Sequence, residues 1–165
     1  MKNELLILLP AYNEDQNVEQ MIEAWQQQEG MVKERYGLVL QIVVINDGSK
    51  DQTESICNRL CDKYDNLTLI NHPKNKELGQ AIKTALLYAI KDRPNCRYAC
   101  IMDCDNTQDP KYIKDMLKKI GADSSSLKAD VIIASRYQKG AKVQGLSKIR
   151  LLTSECAKYI YSAII

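Results

Sequence analysis

Short apolar runs alternate along the chain with longer segments in which apolar residues recur every three or four positions. The runs have the length of buried strands, and the longer segments have the spacing of amphipathic helices. The predicted strands lie at residues 4–10, 38–47, 66–71, 97–103 and 129–135. The predicted helices lie at residues 14–28, 49–64, 77–91 and 110–120. This alternation predicts an α/β domain with a mainly parallel, Rossmann-like sheet and helices on both faces.

Composition excludes few classes of protein. The 165 residues are 45% hydrophobic and 27% charged, which suits one domain with a proper core. The 23 basic and 21 acidic residues are interleaved and leave a formal net charge of +2, so charge gives no reason to expect nucleic acid as a partner. Six cysteines without a CxxC pair lie partly in apolar runs, which predicts buried, reduced thiols.

No secretory signal pattern is present, and no apolar run approaches the roughly 18 residues of a spanning helix. No linker or low-complexity tract divides the 165 residues, so we expect a single domain. We expect this domain to be cytoplasmic, either soluble or bound at the cytoplasmic face of a membrane.

Polar residues follow four of the predicted strands directly. Glu14 comes after the first strand, Asp47 ends the second, Asp103 and Asp105 end the fourth, and Arg136 follows the fifth. Ligands of open parallel sheets bind at the carboxyl ends of the strands, so these side chains are expected at one edge. Three acidic loops and one guanidinium predict a site for a metal ion together with a phosphorylated ligand.

Asp103 and Asp105 stand one residue apart at the end of an apolar run. Two ionised carboxylates this close repel each other, and partial burial increases the cost unless a cation or a proton intervenes. If the chain stays extended, both side chains point the same way, and hard cations such as Mg²⁺ and Mn²⁺ prefer oxygen ligands. The pair therefore predicts a site for a divalent cation.

Two other ligand-binding folds fit the sequence less well. A dinucleotide-binding fold requires a GxGxxG loop after the first strand, whereas residues 10–15 read PAYNED and contain no glycine. A receiver-like domain also gathers acidic residues around Mg²⁺, but it requires a phospho-acceptor aspartate and a late lysine in their places, and PAYNE is foreign to it.

Five motifs resemble, in order and spacing, those of family 2 glycosyltransferases of the GT-A fold. They are PAYNE (10–14), VVINDGSKDQT (43–53), NKELGQA (75–81), DCD (103–105) and ASRYQKG (134–140). The later part resembles the polyprenyl-phosphate sugar transferases, of which dolichyl-phosphate mannose synthase is the known type. That part comprises Ser135-Arg136-Tyr137, Gly140, Gly145 and Arg150. The resemblance extends from residue 4 to about residue 163 and implies one GT-A catalytic domain over residues 1–165.

The resemblance implies a nucleotide-sugar donor, a UDP- or GDP-sugar, held with Mg²⁺ or Mn²⁺. Asp105 is then the direct metal ligand, Asp103 contacts the ribose or shares the metal, and Cys104 offers only its backbone. In the lipid-phosphate branch a glutamine commonly stands two residues after the second aspartate, where this chain has Thr107 followed by Gln108. This departure leaves the third protein ligand of the metal open.

The resemblance also implies contacts with the nucleoside. Pro10, Tyr12 and Glu14 are expected to contact it, with Tyr12 packing on the base. Asp47 is expected to accept a hydrogen bond from the ring N–H of the base, and Ile45 is expected to line the base pocket.

Several of these positions also have a purely structural interpretation. Asp47 can belong to a tight turn and helix cap, and Glu14 can be a first-turn acid that suits the helix dipole. Gly79 either lets the backbone approach the ligand or serves helix packing. His72, the only histidine, is interpreted as a surface residue at a strand end.

Arg136 and Arg150 indicate the class of acceptor. A planar guanidinium binds a phosphate through two parallel hydrogen bonds, which suits a lipid monophosphate. Such a phosphate needs no general base because its second pKa is about 6, and the sequence supplies no obvious base. Catalysis is expected to depend on Asp105 and Arg136, with Arg136 and Arg150 holding the phosphate of a polyprenyl acceptor.

Residues 146–165 predict an amphipathic helix, which lies either on a membrane surface near the acceptor or against the core of the domain. Relatives continue with a further strand and often with membrane helices. We therefore expect these 165 residues to be a catalytic domain truncated at its C-terminus.

The predicted function is metal-dependent, inverting sugar transfer to a polyprenyl phosphate such as dolichyl or undecaprenyl phosphate. Two other functions stay open. A family 2 enzyme with its base outside these residues would act on a hydroxyl of a sugar or glycan. A chain without catalytic activity would serve as a nucleotide-binding scaffold.

Overall fold

Four parallel strands form a sheet in the part of the chain that the computed structural model describes, residues 3–124 and 128–135. They are β1 (Glu4–Ala11), β2 (Val39–Asn46), β3 (Leu67–Asn71) and β4 (Cys96–Ile101). Their order is β3-β2-β1-β4, and every pairing is parallel. Because β1 lies between β2 and β4, the carboxyl ends of these three strands are neighbours.

Helices cover both faces of this sheet. They are α1 (Val18–Gln26), α2 (Glu29–Tyr36), α3 (Thr53–Lys63), α4 (Glu77–Lys91) and α5 (Ile113–Ile120), the last preceded by a 3₁₀ turn at Pro110–Tyr112. Successive residues of a strand face opposite sides of the sheet. Leu5, Ile7 and Leu9 of β1 therefore share one core with α1, α2, α3 and α5. Leu6 and Leu8 share a second core with alanines of α4, which confirms the predicted architecture.

The helix predicted at residues 14–28 is α1, whereas α2 lies at residues for which the sequence predicted no element. Within α2 only Val32 and Tyr36 are buried, so its apolar pattern is too sparse to predict a helix from periodicity. Gly37 ends α2 with a φ of 62°, a left-handed conformation that glycine adopts readily.

The strand predicted at residues 129–135 is not formed. Val131 and Ile133 are 72% and 81% exposed. An apolar run becomes a strand only where a neighbouring edge takes up its backbone hydrogen bonds, and periodicity carries no information about such a neighbour. The chain divides here into two units, residues 1–130 and 131–165, and all the elements named above belong to the first.

Among the described residues, no helix has both the length and the apolar character needed to cross a membrane. The amphipathic helix predicted at residues 146–165 lies outside the described residues.

Candidate functional site

Three loops lie at the carboxyl edge of the sheet, after β1, β2 and β4. Two backbone hydrogen bonds extend the strand pairing into this edge. The N–H of Asp47 donates to the carbonyl of Ala11 at 2.8 Å, and the N–H of Met102 donates to the carbonyl of Leu8 at 3.1 Å. The predicted acidic side chains therefore follow neighbouring strands, as expected for a ligand site of a parallel sheet.

The loops after β1 and β2 are held together by reciprocal hydrogen bonds. The N–H of Asn13 donates to Oγ of Ser49 at 3.0 Å, and the N–H of Lys50 donates to Oδ1 of Asn13 at 2.8 Å. Asn13 has a φ of 56°, a left-handed conformation that asparagine tolerates better than most residues. Asn13 thus binds both Ser49 and Lys50 after β2, a role that the sequence did not reveal.

A second group of hydrogen bonds connects the segments that lead into α1 and α3. Oγ1 of Thr53 accepts from the N–H of Glu14 at 2.8 Å and donates to Oδ1 of Asp51 at 2.6 Å. Oδ2 of Asp51 accepts from the N–H of Asp15 at 3.0 Å. Burial raises the pKa of Asp51, but the hydrogen bonds from Thr53 and the backbone together outweigh it and leave the pKa below its ordinary value. Asp51 is therefore a structural carboxylate.

The residues predicted to contact a nucleoside fall into two groups. Tyr12 is 40% exposed, and Glu14 is half-buried with its Oε2 accepting from Nδ2 of Asn17 at 2.8 Å. Pro10 and Ile45 are instead buried within β1 and β2, and Ile45 packs in the core below α4. The side chain of Tyr12 is thus accessible to solvent, whereas Pro10 and Ile45 belong to the packing of the sheet.

Burial alternates across the DCD motif that follows β4. Cys104 is 2% exposed and belongs to the core, whereas Asp103 and Asp105 are both exposed. Oδ1 of Asp105 accepts from the N–H and from Oγ1 of Thr107, at 3.0 and 2.7 Å. Thr107, where the lipid-phosphate branch commonly has glutamine, therefore orients Asp105.

The donor set of this acid pair fits a hard divalent cation. Among the described residues, Oδ2 of Asp105 and both carboxylate oxygens of Asp103 accept no hydrogen bond from the protein, so they are available as ligands. The same residues contain no group of three or more His, Cys, Asp or Glu side chains arranged as a metal centre. Mg²⁺ is commonly held by one or two carboxylates together with substrate phosphates and water, so two suffice.

Asp47 lies inside a hydrogen-bond network. Its carboxylate accepts from the N–H of Lys76 at 3.0 and 3.1 Å, and its Oδ1 lies 2.6 Å from Nδ1 of His72. Asp47 and His72 are only 3% and 7% exposed, so the interpretation of His72 as a surface residue is wrong. The ring is buried because α4 covers it, with Nε2 lying 2.9 Å from Oγ1 of Thr84.

The turn after β2 depends on Asn46 and Gly48. The N–H of Ser49 donates to Oδ1 of Asn46 at 3.1 Å, so Asn46 and not Asp47 supplies the oxygen that stabilises the turn. Gly48 has a φ of 68°, and a Cβ built there would lie 2.6 Å from Cα of Lys74. A glycine therefore lets the turn approach the segment before α4.

Gly79 lies near the start of α4, where a Cβ built on it meets no described atom within 4 Å. Packing against the described residues therefore does not require this glycine.

Asn106, whose role the sequence did not reveal, links the loop after β4 to the start of α1. Its Nδ2 donates to the carbonyl and to Oδ1 of Asn17, at 3.3 and 3.2 Å. Arg136 and Arg150 lie outside the described residues, so their roles stay predictions.

A parallel sheet with an exposed aspartate pair at its carboxyl edge is the arrangement of the GT-A fold. Solved structures of S. aureus TarS share this fold. TarS 1-349 in complex with UDP has a TM-score of 0.54 and 20% identity, over 71% of this chain and 32% of that one. TarS 1-349 alone has a TM-score of 0.53 and 21% identity, over 72% of this chain and 32% of that one.

A family model for Glycosyl transferase family 2 matches residues 6–161, and the chain belongs to this family. The dolichol-phosphate mannosyltransferase of Pyrococcus furiosus is 30% identical over 151 residues, which are 92% of this chain and 38% of that protein. The dolichyl-phosphate beta-glucosyltransferase ALG5C of Trichomonas vaginalis is 27% identical over 145 residues, which are 87% of this chain and 42% of that protein. The chain thus spans less than half the length of these curated relatives.

Proposed function

We propose that this chain carries the catalytic site of an inverting, metal-dependent glycosyltransferase that moves a sugar from a UDP- or GDP-sugar to a polyprenyl phosphate. The main support for the proposal is the alternation of burial across residues 103–105, because it leaves the carboxylates of Asp103 and Asp105 exposed at the carboxyl edge of the sheet. Membership of glycosyl transferase family 2 supports sugar transfer. Similarity to transferases named for dolichol phosphate supports a lipid-phosphate acceptor.

On the donor side, Asp103 and Asp105 would hold Mg²⁺ or Mn²⁺, which when bound neutralises the diphosphate leaving group as a Lewis acid. Thr107 prepares Asp105 for this role, since its two hydrogen bonds to Oδ1 orient the carboxylate while Oδ2 stays available. Tyr12 packs on the base from the loop after β1, and Gly79 leaves room for the nucleotide at the start of α4.

Asp47 accepts a hydrogen bond from the ring N–H of the base in this proposal. A carboxylate offers about four lone-pair sites. His72 and Lys76 occupy sites on Oδ1, and Lys76 also occupies one on Oδ2. One site on Oδ2 therefore remains for a donor from the ligand.

On the acceptor side, Arg136 and Arg150 hold the lipid phosphate through bidentate hydrogen bonds. The phosphate attacks the anomeric carbon from the face opposite the leaving diphosphate, and this geometry inverts the configuration. The phosphate is ionised near neutral pH because its second pKa is about 6, so no side chain has to remove a proton. In this proposal residues 146–165 bind at the cytoplasmic face of a membrane.

Calorimetric titration with UDP and GDP, with and without Mn²⁺, tests the donor side. We expect Mn²⁺ to raise nucleotide affinity by on the order of tenfold or more, because the acid pair and the diphosphate are both anionic. Asp105→Asn should lose most of that gain and melt normally. Asp62→Asn removes a charge from an exposed position on α3 and should keep the gain. If Mn²⁺ raises nucleotide affinity in Asp105→Asn as much as in the wild-type protein, Asp105 is not a metal ligand.

Transfer of labelled sugar to a short-chain polyprenyl phosphate in detergent, measured with the full-length protein, tests the acceptor side. Arg136→Lys should reduce the rate by on the order of tenfold although it keeps the charge, because an ammonium cannot form the bidentate fork. Arg150→Ala should reduce transfer without changing donor affinity. Transfer only to a sugar hydroxyl would favour the glycan-directed alternative. Metal-dependent nucleotide binding without any transfer or donor hydrolysis would favour a scaffold.

A further inference from the structure

A buried imidazole connects the candidate site with α4. His72 follows β3 directly, and its N–H donates to the carbonyl of Asn46 at 2.9 Å. Its ring lies between the carboxylate of Asp47 and the hydroxyl of Thr84. Burial of an imidazole or a carboxylate is unfavourable unless its polar atoms have partners. Here both ring nitrogens have a partner, at 2.6 and 2.9 Å, so the ring is fully satisfied.

These partners determine which ring nitrogen carries the proton. An ionised carboxylate can only accept hydrogen bonds, so Nδ1 of His72 is the donor to Asp47. In the neutral ring Nε2 then accepts a hydrogen bond from the hydroxyl of Thr84. A directed chain of hydrogen bonds therefore runs from Thr84 through His72 to Asp47.

This chain of hydrogen bonds holds the plane of the Asp47 carboxylate. Nδ1 of His72 fixes Oδ1, and the N–H of Lys76 spans both oxygens, so rotation of the carboxylate would break both contacts. The direction of the remaining lone pair on Oδ2 is thereby set. A fixed acceptor favours bases that present a ring N–H beside a carbonyl, such as uracil and guanine. It disfavours cytosine and adenine, whose corresponding ring nitrogen is itself an acceptor and would leave the carboxylate unpaired.

We propose that His72 is a positioning residue for nucleobase selection, which holds Asp47 as an oriented acceptor while Thr84 holds the ring in the required tautomer. This inference rests on the proposed function, in which Asp47 meets the base. It adds two residues, His72 and Thr84, that act through Asp47 and do not touch the ligand.

The tautomer can be observed directly because His72 is the only histidine of the chain. In ¹⁵N-correlated NMR spectra of the protein without a histidine tag, we expect a proton on Nδ1 and none on Nε2 at a pH where the ring is neutral. Thr84→Ser should preserve this pattern, and Thr84→Val should weaken it. A neutral ring protonated on Nε2 would overturn the proposal without reference to any ligand.

Two substitutions of His72 separate positioning from packing. The amide nitrogen of asparagine can replace Nδ1 and donate to Asp47, whereas glutamine reaches the place of Nε2 and contacts Thr84 instead. Calorimetry with Mn²⁺ compares UDP, GDP and CDP. His72→Gln should lower the ratio of preferred-nucleotide to CDP affinity by about tenfold, and His72→Asn should stay within about threefold of the wild-type ratio.

The outcomes are distinguishable. A lower melting temperature in both His72 variants with an unchanged affinity ratio would overturn the proposal and leave His72 a structural residue. If neither His72 variant folds, the ratio of preferred-nucleotide to CDP affinity is measured in Thr84→Val and compared with the ratio in Thr84→Ser. Wild-type protein that binds no nucleoside diphosphate would overturn the proposed function as well, whereas binding with unaltered ratios would overturn this inference alone.

Discussion

At the scale of single residues, Gly48 lies where the turn after β2 touches the segment that leads into α4. Its φ is 68°, and a Cβ there would lie 2.6 Å from Cα of Lys74. The same segment carries Lys76, whose N–H binds the carboxylate of Asp47. The glycine is therefore required by the backbone of the protein, and the buried position of Asp47 depends on it.

We expect Gly48→Ala to lower the free energy of unfolding by about 2–5 kcal/mol, because left-handed strain and overlap with a backbone each cost on the order of 1–3 kcal/mol. Gly37→Ala is the matched control. Gly37 has a φ of 62°, but a Cβ there meets no described atom within 4 Å, so only a strain of about 1 kcal/mol is expected. Urea unfolding followed by circular dichroism measures both. Equal losses in the two variants would contradict the close approach at Gly48.

At the scale of elements, α4 is connected to a different strand at each end. Before its first turn, the N–H of Lys76 binds Asp47 after β2. Beyond its last turn, Nε and Nη2 of Arg93 donate to the carboxylate of Glu4 in β1, at 3.1 and 3.0 Å. Glu4 begins β1, so this half-buried ion pair lies at the amino edge of the sheet, opposite the candidate site.

Arg93→Met should reduce the free energy of unfolding by about 1.5–3 kcal/mol, because it removes two charge-assisted hydrogen bonds. Arg59→Met, which breaks the more exposed pair with Glu19, should have a much smaller effect. Chemical denaturation of both variants gives the comparison, and nucleotide affinity should be unchanged in Arg93→Met. A larger loss in Arg59→Met would show that the ion pair of Arg93 does not anchor α4.

At the scale of the whole molecule, the core encloses several thiols. Cys57 and Cys104 are free and buried, as the cysteine pattern predicts, whereas Cys61 and Cys100 are only half-buried. Burial raises the pKa of the Cys57 thiol from 9.0 to about 12 and that of Cys100 to about 11. Burial also raises the pKa of Cys104 well above its ordinary value. These thiols therefore keep their protons in the folded chain at pH values where the unfolded chain loses them.

Stability should consequently fall on the alkaline side. Because the pKa values of these thiols are raised in the folded chain, their contribution to the free energy of unfolding is complete below about pH 9. It is lost as the pH rises towards about 11–12, by on the order of 1 kcal/mol per thiol and pH unit. Urea unfolding under reducing conditions at about pH 8 and about pH 10.5 measures the loss. Cys57→Ala should be less stable at both pH values but should show a smaller difference between them. An unchanged difference would exclude Cys57 as a source of the pH dependence.

The strands and the acid pair were predictable from the chain because their signals are local. The apolar runs at residues 4–10, 38–47 and 97–103 become β1, β2 and β4 with bounds shifted by one or two residues. The exposure of Asp103 and Asp105 on either side of a buried Cys104 is the alternation that the sequence predicts for an extended chain, although the backbone bends at Cys104 and Asp105. Helix α2 was not predictable, because only Val32 and Tyr36 of its residues are buried and its apolar pattern is therefore too sparse.

The hydrophobic pattern of the chain sets where β1, β2 and β4 end to within two residues, and therefore which of their residues stand at the carboxyl edge of the sheet. Which polar groups meet at this edge depends on how the strands and helices pack in three dimensions. His72 and Asp47 are 25 positions apart, and Asn13 and Ser49 are 36 positions apart. These pairs form because β1, β2 and β3 lie side by side and α4 covers the end of β3. Hydrophobic periodicity records which side of an element is buried, but it does not identify the partner across the sheet, which is why the burial of His72 could not be read from the chain.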